Sequence, residues 1–472
     1  MITKENFNFV LDKAYNELSE QKVSNPMKAL DLKKAFDLGL KDNPLDSNED
    51  INQIISNVFK YSVNTQSAKF LNQLYGGTSD ITWMSELIVS ILNTSMATYE
   101  IAPLFTLMEK ELISEIKKVV GFKKADGIMV PGGSYANLYA IHCARYRKNP
   151  AVKQTGLFGQ NKFCVFVSEA AHYSSEKAMN LLGFGTDQLV KVKTDQEHKI
   201  SISDLEDKIK QAIAKKMTPL CIVSTSGTTV WGSFDRIQEV QKIADTYQLW
   251  HHVDAAWGGL ALWSEEDKEE LFKGVSDVDS ITLDFHKLMS SSLTKAFFIC
   301  SDPESFYKSS SGGGSEYIFH NETDEQNYDT GVYALQCGRK VDSFPLWFQW
   351  KVGGASQFRD KYDELKKLKE FCVSHINSES EHFELLHDPE FMNICFKVKP
   401  NDRGSSQDGY SDDNGAAFNK SLREKLMSRG HYMVNFSKDG EHGAFFRLVL
   451  NHWKTKKEDL IGLFEELKSI KS

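Results

Sequence analysis

Lys287 ends the run Asp-Ser-Ile-Thr-Leu-Asp-Phe-His-Lys (279–287), and 33 positions upstream Asp254 closes Leu-Trp-His-His-Val-Asp (249–254). A lysine at the end of one apolar strand can form an imine with an aldehyde. A carboxylate at the end of another strand can keep a pyridine nitrogen protonated, so that the ring accepts electrons. Pyridoxal phosphate chemistry needs this pair. Taken alone, Asp254 equally suits a strand-end turn and Lys287 a solvated helix start. Three further segments could complete such a site. Pro131-Gly132-Gly133-Ser134-Tyr135-Ala136-Asn137 turns on glycines and opens a helix, whose free amides attract phosphate, although a plain N-cap serine has the same pattern. Thr225-Ser226-Gly227-Thr228-Thr229 offers hydroxyls and amides, as any polar turn does. His172 follows another apolar run, where an imidazole can stack on a planar ring or simply serve the fold. His251-His252-x-Asp254 suggests metal ligation, but adjacent strand residues point to opposite faces, and no metal is expected.

The elements that must position these residues alternate. Phe163 to Val167, Leu220 to Ser224, Leu249 to Val253, Ser280 to Leu283 and Ala296 to Cys300 read as buried strands. Residues 134–148, 174–183, 202–216 and 236–246 read as helices, so an α/β domain with a mainly parallel sheet is expected. Before it, Pro103 marks a kink or helix start in an apolar helical stretch, and Gly127-Ile-Met-Val-Pro-Gly-Gly reads as a tight turn. The expected organisation is a helical N-terminal arm (1–64), a large cofactor-binding domain (65–340) and a small α+β C-terminal domain (341–472). That last domain has a helical stretch at 341–380, strands around Phe391 to Val398 and Ala444 to Leu450, and a polar loop at 400–415.

Composition narrows the function classes. The 472 residues are 41% hydrophobic and 26% charged, with a net charge of −9 and no basic stripe, which argues against nucleic acid as a partner. The opening Met-Ile-Thr-Lys-Glu-Asn-Phe-Asn-Phe lacks the apolar centre of a secretory signal. No stretch approaches the ~18 apolar residues of a membrane span, so a cytoplasmic protein without a membrane partner is expected. Seven dispersed cysteines with no Cys-x-x-Cys pair indicate neither a disulfide framework nor a zinc site.

In order, glycine turn, histidine, threonine turn, aspartate and lysine each follow an expected strand, on the edge where open α/β sheets bind ligands. With Phe70-Leu-Asn-Gln-Leu, Asn93-Thr-Ser-Met-Ala-Thr-Tyr-Glu-Ile-Ala-Pro, Tyr328-Asp-Thr-Gly, Leu335-Gln-Cys-Gly-Arg and Phe445-Phe-Arg, the sequence from about residue 65 onward resembles a known family. This is the group II pyridoxal-phosphate-dependent amino-acid decarboxylases, in the glutamate, cysteine sulfinate and aspartate branch. The resemblance implies an aspartate aminotransferase type of fold and an obligate homodimer. It also implies pyridoxal 5′-phosphate as cofactor and release of carbon dioxide and an amine from an acidic amino acid. Residue by residue, it implies that Lys287 bonds the cofactor, Asp254 pairs with the ring nitrogen, Ala256 lies under the ring and His172 stacks above it. Gly133, Ser134 and His286 resemble phosphate-binding residues, and Thr225 the residue near the ring substituents. Tyr317 matches the tyrosine that protonates the α-carbon, Arg447 the arginine that grips the distal acid, and Gln73 and Ser95 substrate-facing positions. Three departures bear on the substrate and the phosphate end. Ser95 is shared with cysteine sulfinate decarboxylases rather than glutamate decarboxylases, and Ala97 fits neither. Asp284-Phe-His-Lys stands where the animal enzymes have Asn-Pro-His-Lys, as in bacterial diaminobutyrate and archaeal decarboxylases. A decarboxylase of diaminobutyrate or an aromatic amino acid, a transamination on the same fold, or a catalytically silent scaffold are the competing readings.

Overall fold

The computed structural model describes residues 2–16, 18, 22–40, 42, 45, 47–312, 318–319, 328–400 and 415–471. The chain forms two compact units, Thr78–Glu364 and Met1–Gly77 with Leu365–Ser472. Of the three segments expected from sequence, 1–64 falls in the second of these units and most of 65–340 in the first.

The chain begins with α1 (Lys4–Asn16), α2 (Ala29–Ala35), α3 (Asn48–Tyr61) and β1 (Phe70–Leu71). The larger unit then follows with α4 (Asp80–Leu92), α5 (Pro103–Val120), β2 (Asp126–Val130), α6 (Gly133–Lys148), α7 (Val152–Thr155), β3 (Phe163–Ser168), α8 (Ser174–Leu181) and β4 (Leu189–Val192). It continues through α9 (Ile202–Ala214), β5 (Thr218–Thr225), α10 (Ile237–Tyr247), β6 (Trp250–Asp254), α11 (Glu265–Leu271), β7 (Ser280–Asp284), β8 (Ala296–Cys300), α12 (Pro303–Ser310) and α13 (Ser343–Gly353). Its sheet has the order β2-β8-β7-β6-β5-β3-β4, parallel from β7 to β4, with β8 antiparallel to both its neighbours.

The expected strands and helices form because the sheet is covered on both faces. On β3, Phe163, Val165 and Val167 pack with Ala136 and Tyr139 of α6 and Met179 of α8. Cys164 and Phe166 pack on the other side with Leu205 and Ile209 of α9 and Val240 of α10. Alternate residues thus meet different helices, and the strands read as unbroken apolar runs. Pro103 occupies the first turn of α5 and is a helix start rather than a kink. Two strands of this sheet differ from expectation. The run at 127–130 belongs to β2, where Gly127 is required because a Cβ would lie 2.4 Å from the Phe298 carbonyl of β8. A glycine so used looks like a turn. The short β4 was not foreseen either.

The helical stretch expected at 341–380 is two helices, α13 and α14 (Ser356–Ser378), parted at Gly354 with φ +68°. Beyond it lie β9 (Phe383–Leu385), β10 (Asn393–Val398), α15 (Ala416–Arg429), β11 (Met433–Asp439), β12 (Gly443–Val449) and α16 (Lys457–Lys471). The smaller unit's sheet has the order β1-β11-β12-β10-β9, with β1 parallel to β11 through Phe70 and Met433. Of the loop expected at 400–415, residues 401–414 lie outside the described residues. No described helix is long and apolar enough to cross a membrane.

Candidate active site

Strand register brings the polar residues of the larger unit into one row. Thr225 pairs with Asp254 and Asp254 with Thr282, at the carboxyl ends of β5, β6 and β7. Asp284 ends β7, and the next turns carry Ala256, His286 and Lys287. Gly258 is needed here: a Cβ would lie 2.4 Å from the Ser226 carbonyl, which accepts from the Gly258 amide at 3.0 Å.

Asp254 is 7% exposed and held at both oxygens. Oδ1 accepts from the Ala256 amide at 3.1 Å, and Oδ2 from Asn137 Nδ2 at 2.7 Å. Asn137, on α6, in turn accepts at Oδ1 from Thr282 Oγ1 (2.8 Å) and His252 Nε2 (3.0 Å). Nδ1 of His252 meets Ser280 Oγ at 2.8 Å, which also accepts from Trp250 Nε1. Burial pulls the His252 imidazole down to about 4, so it is neutral, and its bonds fit the Nε2–H form with Ser280 donating to Nδ1. A chain of neutral, mutually satisfied groups thus orients one carboxylate. His251 points to the opposite face, toward Ser224 and Gln241, as strand alternation requires. Asn137, His252 and Thr282 were not singled out in sequence for this role. The only available signal is that Asn137 interrupts the apolar face of α6.

At the other end of the row, Gly132 (φ +107°) precedes α6, and Gly133 begins it. A Cβ on Gly133 would lie 3.0 Å from both carboxylate oxygens of Asp284 and 3.2 Å from the Ala256 Cβ. Asp284 Oδ2 is 3.2 Å from Lys287 Nζ and 3.7 Å from His286 Nε2. His286 Nδ1 donates to the Lys295 carbonyl at 3.0 Å. His172, half-buried after β3, packs at 4.1 Å on Tyr173 and accepts at Nδ1 from the Ser174 amide. Burial lowers its pKa, with Lys287 adding to this effect while Asp254 and Asp284 oppose it, so all three lie within its electrostatic reach.

Lys287, Asp254, Ala256, Thr225, Gly133, Ser134, His172 and His286 therefore belong to one unit and one sheet edge. Their chemistry fits a phosphorylated aldehyde with a basic ring nitrogen: an amine, an oriented carboxylate and a glycine-led helix N-terminus. Thr225 Oγ1, Ser226 Oγ and Asp284 Oδ1 are buried polar atoms without hydrogen-bond partners among the described residues, and so provide binding capacity. Ser95, in the same unit, is exposed, and its Oγ accepts from the Arg339 amide at 3.4 Å. Arg339 is itself buried against Glu109 and bonds the Met96 and Met129 carbonyls, fixing the 93–98 segment. Gln73 and Arg447 lie in the smaller unit. Gln73 is exposed, with its carbonyl accepting from Asn451. Arg447, on β12, is 6% exposed and donates from Nη2 to the Asn72 carbonyl at 3.0 Å. Tyr317 lies outside the described residues.

A mostly parallel sheet with a lysine, a buried oriented carboxylate and a glycine-led helix N-terminus at one edge fits a pyridoxal-phosphate enzyme of the α/β class. The chain belongs to the pyridoxal-dependent decarboxylase family, whose conserved domain matches residues 30–399. It is 34% identical over 468 residues to human cysteine sulfinic acid decarboxylase, covering 98% of this chain and 94% of that protein. To an acidic amino acid decarboxylase of Xenopus tropicalis it is 33% identical over 452 residues, covering 95% and 88%. The crystal structure of mouse CSAD superposes with a TM-score of 0.94 at 32% identity, over 99% of this chain and 98% of that one.

Proposed function

We propose that this enzyme removes the α-carboxylate of an acidic L-amino acid, with cysteine sulfinate favoured over glutamate and aspartate. The observation that carries the chemistry is the carboxylate of Asp254, fixed by Asn137 and the Ala256 amide, on the same sheet edge as Lys287. When bound, pyridoxal phosphate supplies an electron-accepting ring conjugated to the substrate's α-carbon. Lys287 would hold the cofactor through its amine, which lies 3.2 Å from Asp284 Oδ2. Asp254 keeps the ring nitrogen protonated, and the network through Asn137 holds its oxygens in place. His172 and Ala256 would flank the ring. Gly133, Ser134 and His286 hold the phosphate, and Thr225 turns its hydroxyl toward the ring substituents. Residues that fix the substrate's orientation here would contribute an orientation effect, for which well-aligned models give up to roughly 7–11 kcal/mol. Arg447 binds the distal acid, a task suited to a planar fork of donors whose charge is already desolvated by burial. Gln73 and Ser95 contact the substrate, and Ser95 can donate to a sulfinate oxygen. Tyr317 returns the proton to the α-carbon.

The acidic substrate class is supported by the similarity to two proteins named for acidic substrates. Carbon dioxide release is the test, measured on the holoenzyme over cysteine sulfinate, glutamate, aspartate, lysine, diaminobutyrate and aromatic amino acids. Highest kcat/KM on an acidic substrate is expected. A preference for a basic or aromatic one would overturn the substrate class, and a keto acid product would overturn the reaction.

The working form is a cytoplasmic homodimer. Met84, Leu87, Ile88 and Ile91 recur at helical spacing along α4, and all are exposed, Ile91 at 73%. A second copy would bury this apolar stripe. Sedimentation should give twice the chain mass, and Ile91→Lys with Leu87→Asp should shift it toward the monomer.

A further inference from the structure

Asp284 is a buried carboxylate at the phosphate end of the site, where the animal members of the branch have asparagine. Its side chain is 3% exposed. One oxygen faces Lys287 Nζ at 3.2 Å, and the other has no hydrogen-bond partner among the described residues. Both lie against Gly133, the first residue of α6. The carboxylate therefore stands at the helix N-terminus expected to hold the cofactor phosphate, which carries roughly −1.5 to −2 charges near neutral pH. Two anions sharing a buried site do not both keep full charge, and the one with fewer donors takes the proton. The phosphate has the amides of Gly133 and Ser134 to accept from. Asp284 Oδ1 has none, and once protonated it becomes a donor.

We propose that Asp284 takes up a proton as the cofactor phosphate binds, changing from counter-ion of Lys287 to hydrogen-bond donor to the phosphate. Without Lys287, cofactor loading is then linked to uptake of a solvent proton. The inference rests on the cofactor and not on the choice of substrate. The proton has a source: as the Lys287 nitrogen bonds the cofactor's aldehyde carbon, the aldehyde oxygen leaves as water with two ammonium hydrogens, and the third goes to the Asp284 carboxylate. With Lys287 removed, it comes from solvent. The other titratable groups facing Asp284 are His286, at 3.7 Å, and His172, which also senses Asp254 and Lys177.

Calorimetry of pyridoxal phosphate binding, run in two buffers of different ionisation heat, counts the protons. In Lys287→Ala, where no covalent bond forms, binding near pH 8 should take up about one more proton per site than in Lys287→Ala/Asp284→Asn. The single variant's Kd should weaken about tenfold per pH unit above neutrality, and the double variant's should stay flat. Equal proton counts would overturn the proposal. A second measurement needs no substitution: pyridoxal phosphate added to the wild-type protein should produce an infrared carboxylic-acid band that shifts on 13C-aspartate labelling. Its absence would also overturn the proposal. Failure of pyridoxal phosphate to bind at any pH would remove the cofactor assignment as well, whereas binding without proton uptake removes this inference alone.

Discussion

Asn137→Ala tests whether the carboxylate of Asp254 works because of how it is held. The substitution deletes four hydrogen bonds, to Asp254 Oδ2, Ser174 Oγ, Thr282 Oγ1 and His252 Nε2. A hydrogen bond to a charged group contributes about 1.5–3 kcal/mol. If that contribution is felt as protonated ring nitrogen and carboxylate draw electrons from the breaking bond, kcat falls by about 10- to 150-fold at saturating cofactor. Stability falls less, because the His252 Nε2–H retains Thr282 Oγ1 at 3.1 Å as acceptor. One orphaned donor costs roughly 1–3 kcal/mol. The discriminating assay compares kcat of wild type and Asn137→Ala loaded with pyridoxal phosphate and with its deaza analogue, in which carbon replaces the ring nitrogen. Asn137 acting through Asp254 makes the ratio large with the natural cofactor and close to one with the analogue. The same ratio with both cofactors would refute the positioning role and leave Asn137 as a packing residue.

Lys287→Ala should lose the yellow colour of the bound cofactor and nearly all turnover, and an active, coloured variant would remove Lys287 from its role. Tyr317→Phe should keep releasing carbon dioxide while amine yield falls and pyridoxamine phosphate accumulates; unchanged amine yield would show that another group returns the proton. Burial lowers His252 to about 4 against an ordinary ~6.5, so its contribution to stability is full above pH 6.5 and is lost as pH falls toward 4, at about 1.4 kcal/mol per unit. Urea unfolding across that window should show a slope about one proton shallower in His252→Gln, and an identical slope would show that His252 is not buried neutral. Ser95→Asn should raise the glutamate to cysteine sulfinate ratio of kcat/KM by several-fold, a few tenths to one kcal/mol of discrimination; an unmoved ratio would take Ser95 out of substrate choice.

The large sheet was legible because burial on both faces writes its strands as short apolar runs. The polar residues that end those runs stand out against them: His172 after β3, Thr225 on β5, Asp254 on β6 and Lys287 after β7. Where a strand must also solve a local packing problem, the signal is lost. Gly127 reads as a turn, and only the approach of the Phe298 carbonyl shows that β2 needs a residue without a side chain. The supporting network was illegible for a related reason. Asn137, His252, Thr282 and Ser280 come from three separated segments. Each alone is an ordinary polar residue, and helix packing across the sheet brings them to one carboxylate.

Ala97 shows how the same limit affects substrate choice. In the sequence, a small residue there suits either a reshaped pocket or room for a neighbouring segment. In the structure, the Ala97 carbonyl accepts from the Gly331 amide at 2.8 Å, and a Cβ on Gly331 would meet the Ala97 Cβ at 3.1 Å and Phe319 at 3.2 Å. Two small residues have been matched to each other, and the space that a phenylalanine at 97 would need is already taken by Gly331 and Phe319. Ala97→Phe would therefore perturb the 328–332 segment before it altered any pocket. Any part that the 93–98 segment plays in substrate choice is then expected at Ser95, whose exposed hydroxyl accepts from the Arg339 amide at 3.4 Å.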